Sequence, residues 1–305
     1  MQKKNSNNHK KGIKLSNIGK NEIIYKIDNT YENSFEDLVS TYRKVILIDL
    51  SNLAHICYSV AVWLVNKKVW NGPEEPSKGM VINILKGKLN GILNTTGPSS
   101  HIIFVMDSGR GNKETVLNNY KGQRIQREYN PIADVARYLY KQGYDIKYSK
   151  GEEADDCIAT LAKRLRNHIK VIIMSTDQDL WQLKRKNIEI LSIKGNMEKA
   201  SKEVLNKKYG INRYKDIVKY KVLFGDSSDN IGPILPYLTK KPILEKINEG
   251  IKSKKIIKFI SKDKNVKFDT LWKEYKNRKS AIKLRDNLNV STVKSSKSIK
   301  NIVRI

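Results

Sequence analysis

The chain has 305 residues, of which 59 are Lys or Arg and 31 are Asp or Glu, giving a formal net charge of +28. A hydrophobic content of 39% allows one large or two modest domains with a buried core. The positive charge predicts a polyanionic partner, with nucleic acid the first candidate and an anionic membrane surface the second. The nearest approach to a membrane span, residues 54–65, is interrupted by polar residues and too short, which disfavours a membrane protein.

Residues 1–40 are rich in Lys, Asn and Ser and show little periodicity, which predicts a basic, flexible N-terminal extension without a signal peptide. The two cysteines, Cys57 and Cys157, lie within apolar helical patterns. Buried free thiols are expected, and with them an intracellular, cytoplasmic location. The four histidines lack metal-ligand spacing, which disfavours zinc. We expect a monomer.

Between residues 41 and 200, strand-like apolar runs alternate with helical patterns. The predicted strands are 45–49, 102–106, 145–148, 171–174 and 188–191, and the predicted helices are about 51–65, 78–94, 113–142 and 153–167. This alternation is typical of an α/β domain with a mainly parallel central sheet and helices on both faces. Residues 201–305 are helical in pattern and rich in Lys, which predicts a nucleic-acid-binding region with a flexible C-terminal end.

Acids follow several of the predicted strands. Asp49, Asp107 and Asp177 each stand at the carboxyl end of an apolar run, and Glu153 opens a predicted helix a few residues after another. Ligands of open α/β sheets bind beyond the carboxyl ends of the strands. Four separate segments are therefore predicted to deliver acids to one edge of the sheet.

The acids also form three short clusters in a chain that is otherwise poor in them: Glu153 with Asp155 and Asp156, Asp177 with Asp179, and Asp226 with Asp229. Each cluster has a structural explanation as well: the first turn of a helix, an N-cap after a turn, or a simple loop. Together they crowd more carboxylates than those roles require, and a bound cation would relieve the repulsion. Oxygen ligands without His or Cys favour Mg²⁺, with Mn²⁺ as a substitute. The number of acids predicts two ions, about 4 Å apart, which suits phosphodiester hydrolysis.

A basic and aromatic stretch follows Asp107 and contains Arg110, Lys113, Tyr120, Lys121, Arg124 and Arg127. The stretch is predicted to belong to a basic gateway helix over about 110–142. If 113–128 is helical, Lys121, Arg124 and Arg127 would lie along one face, with Tyr120 beside them, where the cations could hold phosphates while the tyrosine stacks on an unpaired base. A solvated helix face explains the same pattern, and the residues alone leave the two interpretations even.

Six short motifs follow one another along the chain: Ile48-Asp49, Met106-Asp107, Tyr120-Lys121-x-x-Arg124, Glu153-Ala154-Asp155-Asp156, Thr176-Asp177-x-Asp179 and Gly225-Asp226-x-Ser228-Asp229-Asn230. In this order, they resemble the motifs of the flap endonuclease or 5′ nuclease family. The resemblance extends over about residues 44–231. It implies a 5′ nuclease or PIN-like sheet domain followed by a helical DNA-binding region.

The resemblance also assigns roles to the acids and to two cations of the basic stretch. One metal group would comprise Asp49, Asp107, Glu153, Asp155 and Asp156, and the other Asp177, Asp179 and Asp229 with Asp226 nearby. Lys121 and Arg124 would lie beside the scissile phosphate, and with Asp155 and Asp177 they form the predicted catalytic set.

The implied activity is that of a Mg²⁺-dependent, structure-selective 5′-3′ nuclease that removes RNA primers and 5′ flaps in replication or repair. Such an enzyme combines 5′-3′ exonuclease, flap endonuclease and RNase H activities. Its substrates would be DNA and RNA–DNA hybrids with 5′ ends or flaps. A single-strand-binding protein or a polymerase is a candidate partner.

The chain departs from the bacterial pattern of this family at two places. It has His55 and Ile56 where an aromatic-Arg pair is expected, and residues 231–241 replace a Gly-rich turn. Both departures favour the phage-type ribonuclease H branch, with Lys240 and Lys241 as predicted nucleic-acid contacts. A catalytically weak DNA-binding relative and a PIN-type ribonuclease remain the alternatives.

Overall fold

The computed structural model describes residues 35–68, 75–111, 113, 129–195 and 197–303. Its centre is a six-stranded sheet of β1 Lys44–Asp49, β2 Ser100–Val105, β3 Asp145–Tyr148, β4 Lys170–Met174, β5 Ile188–Leu191 and β6 Ser291–Thr292. The strand order is β5-β4-β1-β2-β3-β6, with β6 antiparallel to β3 and all other pairs parallel. The predicted mainly parallel sheet is confirmed, and its five predicted strands correspond to β1–β5.

The described helices are α1 Phe35–Thr41, α2 Leu50–Asn66, α3 Lys78–Thr96, α4 Pro131–Lys141, α5 Ala154–Leu165, α6 Lys202–Tyr209, α7 Ile217–Phe224, α8 Lys240–Asn248, α9 Ser253–Asp263, α10 Phe268–Ile282 and α11 Ser296–Val303. Within the described ranges, no helix has both the length and the apolar composition that crossing a membrane requires.

Two apolar cores cover the two faces of the sheet. Successive side chains of β1 alternate between them, so that Ile46 and Ile48 pack with α2, α3, α4 and α11, whereas Val45 and Leu47 pack with α5. All four β1 side chains are fully buried, as expected for a parallel strand covered on both sides. This arrangement confirms the prediction of helices on both faces.

A third core lies within α6–α10. It contains Ile217, Ile257 and Tyr275, each at most 1% exposed. Trp181, on the short 3₁₀ turn Asp179–Leu183 after β4, packs against this core and against one core of the sheet. The helical region predicted after residue 201 is therefore joined to the sheet beside the acids that follow β4.

The structure corrects the prediction at both ends of the chain. The last residues of the predicted flexible extension 1–40 begin helix α1, in which Leu38 is buried. The predicted flexible C-terminal end instead returns to the sheet as β6 and α11, where Ile299 is fully buried. Residues 1–34 lie outside the described part of the chain.

The predicted helix over 113–142 is also corrected. Residues 129 and 130 are not helical and interrupt it, while residues 114–128 lie outside the described part of the chain. Helix α4 begins at Pro131, with the Asn130 side chain accepting a hydrogen bond from the Ile132 N–H. An Asn N-cap followed by Pro at the first helical position is a strong start signal, because proline has no N–H to satisfy there. The sequence contained this signal, and the longer helical pattern obscured it.

Candidate active site

Asp49 joins β1 to α2 at the carboxyl edge of the sheet. Its Oδ1 accepts the Asn52 N–H at 2.9 Å, which caps α2, and its Oδ2 accepts the Ser175 hydroxyl at 3.2 Å. Asn52 in turn bonds both the backbone and the hydroxyl of Thr176, at 3.0 and 2.7 Å. The loop after β4 is therefore held against the start of α2.

Asp107 and Asp177 occupy the same edge. The Oδ1 of Asp107 accepts the Ala154 N–H at 2.7 Å, so this carboxylate lies on the N-terminus of α5, where the helix dipole favours negative charge. The Asp177 N–H donates to the Ser175 hydroxyl oxygen at 3.1 Å, and Asp177 Oδ1 accepts the Asp179 N–H at 2.8 Å. The acids at the carboxyl ends of β1, β2 and β4 thus lie at the same edge of the sheet, as the sequence predicted.

The acids at this edge influence one another's ionisation. Burial, together with the charges of Asp107 and Asp177, raises the pKa of the Asp49 carboxyl to about 7. Burial and the charge of Asp177 likewise raise the pKa of Asp179 to about 7, against the opposing effect of Lys221. Without a bound cation, the simultaneous ionisation of all these carboxyls is therefore unfavourable.

Three of the acids bring their ligand atoms close enough together for one metal ion to bind all three. One carboxylate oxygen each from Asp179, Asp226 and Asp229 lies within 4.8 Å of the others. Asp226 is held by the Ser228 N–H and hydroxyl at 3.0 and 2.6 Å. The residues present fit a divalent cation, because carboxylate oxygens are the donors that Mg²⁺ and Mn²⁺ prefer.

Lys221, in α7, is a site residue that the sequence did not reveal. Its ammonium donates to both Asp179 and Asp226, and the residue is only 5% exposed. Burial by itself lowers the pKa of Lys221, but the two carboxylates outweigh burial and raise it. The same contacts lower the pKa of Asp226 despite its own burial. In a chain with 59 Lys and Arg, no local pattern distinguishes this lysine.

Lys113 has a different environment from the exposed phosphate contact predicted for it. Its ammonium binds Glu153 and lies 3.8 Å from Asp156 Oδ2, and the residue is 7% exposed. Burial by itself lowers the pKa of Lys113, but the charges of Glu153, Asp156 and Asp155 outweigh burial, so the pKa is raised. Lys113 therefore neutralises the acids at the start of α5.

The loop after Asp107 lies directly against the loop that leads into α5. The Ser108 N–H donates to the Glu152 carbonyl and the Gly111 N–H to the Gly151 carbonyl, both at 2.9 Å. A Cβ at Gly109 would come within 2.6 Å of the Gly151 carbonyl oxygen, so only glycine permits this approach. The contact sets the position of Asp107 relative to α5.

The predicted five-acid group differs from the Asp179, Asp226 and Asp229 set. No set of three ligand atoms as close as that one forms among Asp49, Asp107, Glu153, Asp155 and Asp156, all of them described residues. Within the predicted group, Lys113 binds Glu153, and the Ala154 N–H donates to Asp107.

The predicted nucleic-acid contacts are only partly described. Arg110 is exposed near the acids, and Lys240 and Lys241 are exposed at the start of α8. The Lys240 ammonium lies over the rings of Tyr220 and Phe224, at 5.9 and 5.5 Å from their centroids. The remaining predicted contacts lie outside the described residues: Tyr120, Lys121, Arg124 and Arg127.

Comparison with protein families identifies the family to which this chain belongs. Residues 44–210 match the model of the 5′-3′ exonuclease, N-terminal resolvase-like domain, which is more than half of the chain. The chain belongs to the 5′-3′ exonuclease family. A 5′-3′ exonuclease of Buchnera aphidicola subsp. Schizaphis graminum is 33% identical over 204 residues, which are 65% of this chain and 70% of that protein. Flap endonuclease Xni of Aliivibrio fischeri is 29% identical over 221 residues, 68% of this chain and 80% of that protein.

Solved structures show the same fold as this member of the 5′-3′ exonuclease family. The T5 5′-exonuclease with bound divalent metal ions (zinc) has a TM-score of 0.53 and 18% identity, covering 79% of this chain and 86% of that one. The bacteriophage T5 flap endonuclease, in a pseudo-enzyme–product complex with DNA and metal ions, has a TM-score of 0.55 and 16% identity, covering 86% and 98%. The predicted resemblance to the flap endonuclease family is thus confirmed at the levels of sequence and fold.

Proposed function

We propose that this protein is a Mg²⁺-dependent, structure-selective 5′-3′ nuclease that removes RNA primers and 5′ flaps during DNA replication or repair. Its substrates would be DNA and RNA–DNA hybrids with 5′ ends or flaps, cleaved as a 5′-3′ exonuclease, a flap endonuclease and an RNase H. The observation that carries the proposal is the meeting of acids from β1, β2 and β4 with the Asp179, Asp226 and Asp229 set, in a chain of the 5′-3′ exonuclease family.

The acids would form two metal-binding groups, as the sequence resemblance implies. Asp177, Asp179 and Asp229, with Asp226, would hold one divalent ion, and the acids at the start of α5 would hold a second with Asp49 and Asp107. Bound ions of this kind lower the pKa of a water and neutralise charge that develops on the phosphate. Lys121 and Arg124 are proposed to bind the scissile phosphate, and the net charge of +28 would draw the polyanion to this edge.

The buried thiols of Cys57 and Cys157 are consistent with the intracellular location that we propose. There the nuclease would act as a monomer, with a single-strand-binding protein or a polymerase as its protein partner.

The first experiment compares cleavage of a 5′-labelled flap substrate with cleavage of plain single strand and of an RNA-primed duplex. Reactions contain Mg²⁺, Mn²⁺ or EDTA, with wild type, Asp155→Ala and Asp177→Ala. Short 5′ products that require metal are expected, with rates at least about 100-fold lower in both variants, because direct metal ligands matter more than outer-shell residues. Asp263→Ala removes an exposed acid from α9 and is expected to cleave normally.

Tight DNA binding without cleavage in either metal would contradict the proposal and favour a catalytically weak DNA-binding relative. Cleavage of single-stranded RNA with no preference for 5′ ends would instead favour a PIN-type ribonuclease. The RNA-primed duplex determines separately whether RNase H activity accompanies flap cleavage.

A further inference from the structure

Arg285 reaches the start of α5 from a distant part of the sequence. It lies in the return segment, residues 283–290, which leads from α10 back to the sheet. The Arg285 backbone N–H donates to Asp156 Oδ1 at 2.8 Å, and its guanidinium Nη2 donates to Asp156 Oδ2 at 3.2 Å. The guanidinium also binds both carboxylate oxygens of Glu152, with Nη1 3.0 Å from Oε1.

These contacts satisfy a carboxylate that has no access to solvent. Asp156 is fully buried, and a buried charge is tolerated only when it is paired and hydrogen-bonded. The planar guanidinium of Arg285 can engage two carboxylates at once, which the ammonium of a lysine does less well. The hydrogen bond to Glu152 and the charge of Asp156 raise the pKa of Arg285, so it stays charged.

The return segment is held in place independently of Arg285. The Leu284 N–H donates to the Gln182 side chain at 3.1 Å, and the Leu288 N–H donates to the Thr160 hydroxyl at 3.2 Å. Arg164 donates to the Leu288 carbonyl at 2.8 Å. Since α5 and the 3₁₀ turn after β4 both bind this segment, the guanidinium is fixed relative to both sets of acids.

We propose that Arg285 is a positioning residue for the acids at the start of α5. By holding Glu152 and Asp156, the residues on either side of Glu153 and Asp155, it fixes the direction in which all these carboxylates point. The proposal rests on the proposed function, because it assigns these acids to divalent metal. It adds a residue that lies beyond the 44–210 family match and is carried by the C-terminal return segment.

The test measures Mn²⁺ binding to the free protein by calorimetry, without nucleic acid, for wild type, Arg285→Gln and Arg285→Lys. A positioning role predicts about tenfold weaker Mn²⁺ binding in Arg285→Gln, within the range usual for outer-shell partners of metal ligands. Arg285→Lys keeps the charge and is expected to recover part of the loss. Lys283→Gln removes an exposed positive charge two residues away and is expected to bind Mn²⁺ as wild type does.

The direction of the change distinguishes positioning from a simple charge effect. If Arg285 acted only through its charge, removing it would reduce repulsion and tighten Mn²⁺ binding, which would overturn the proposal. Flap cleavage adds a second readout: kcat is expected to fall 10- to 100-fold with KM for DNA within about twofold. A raised KM with unchanged kcat would instead make Arg285 a phosphate contact and also overturn the proposal.

Two further outcomes are informative. If Arg285→Gln does not fold, Arg285→Lys and Glu152→Gln, which weaken the same contacts, must both weaken Mn²⁺ binding for the proposal to stand. If wild type binds Mn²⁺ but cleaves no substrate, the proposed function fails, while the comparison of Mn²⁺ affinities still determines the role of Arg285.

Discussion

At the scale of single residues, the site is a balance between crowded carboxylates and buried cations. Asp49 is 7% exposed and lies near Asp107 and Asp177, whereas Asp179 has the Lys221 ammonium beside it. Burial raises the pKa of both carboxyls, but at Asp179 the Lys221 ammonium opposes this effect and forms an ion pair. The two situations predict opposite effects of mutation on the stability of the metal-free protein.

Replacing Asp49 by Asn is expected to stabilise the metal-free protein at high pH. The folded-state pKa of about 7 lies above the unfolded value of about 3.9, so the unfolded chain loses its proton first as pH rises. The wild type therefore loses stability between about pH 4 and pH 7, at about 1.4 kcal/mol per pKa unit. Asn keeps the N-cap of α2 and has no charge to lose.

The measurement is the melting temperature of both proteins in EDTA at pH 5 and at pH 8. The advantage of Asp49→Asn should be larger at pH 8, and excess Mg²⁺ should reverse it by stabilising only the wild type. An advantage that is equal at both pH values, or a variant that is less stable at pH 8 in EDTA, would contradict the raised pKa.

Replacing Lys221 by Met is expected to destabilise the metal-free protein by about 3 kcal/mol, because removing one partner of a buried ion pair leaves uncompensated charge. Mg²⁺ should restore part of the loss, since a bound cation supplies charge to Asp179 and Asp226. Urea unfolding with and without Mg²⁺ measures both effects. Lys207→Met makes the same change at an exposed position of α6 and should have little effect; equal effects of the two substitutions would rule out this role for Lys221.

At the scale of elements, the regular strands were predictable and the return of the chain to the sheet was not. Strands β1 and β4 read as continuous apolar runs because both of their faces are buried. Strand β6 has only two residues, too few to show alternation, and α11 begins within a Ser- and Lys-rich stretch that is typical of a flexible end. Their position depends on contacts with β3 and α4, more than a hundred residues earlier.

Truncating Ile299 to Ala in α11 is expected to cost about 2 to 5 kcal/mol of unfolding free energy, because its fully buried side chain would leave a cavity in a core that contains α4. Lys300→Ala, at the next and exposed position of the same helix, should change stability by less than about 0.5 kcal/mol. Chemical unfolding of both variants measures the difference. Equal stabilities would show that α11 contributes nothing to the core.

At the scale of the whole molecule, a chain with a large excess of cations has one sheet edge where acids are concentrated. The net charge of +28 favours any polyanion, whereas the acids of the edge repel phosphate until a cation neutralises them. Attraction to nucleic acid and cleavage of it should therefore depend differently on salt and on divalent metal.

Binding to a flap substrate in Ca²⁺ or EDTA is expected to be strongly salt-dependent, since each phosphate contact releases counterions. If six or more phosphates are contacted, the dissociation constant should rise about 1000-fold between 50 and 200 mM salt. Fluorescence anisotropy measures this slope, and a flap substrate of scrambled sequence provides the control and should bind equally well. A rise of less than about tenfold would mean that the positive charge does not carry the binding.

The sequence by itself determined the sheet, the edge at which the acids meet and the family of the protein. These features follow from local patterns: buried parallel strands are continuous apolar runs, and the acids stand directly after them. The tertiary structure alone decided which cations neutralise which acids. No local pattern distinguishes Lys221 or Arg285 in a chain with 59 Lys and Arg, and Lys113 was predicted to bind phosphate but pairs with Glu153. Arg285 meets Asp156 across 129 positions of sequence, a contact that only the packing of the return segment against α5 creates.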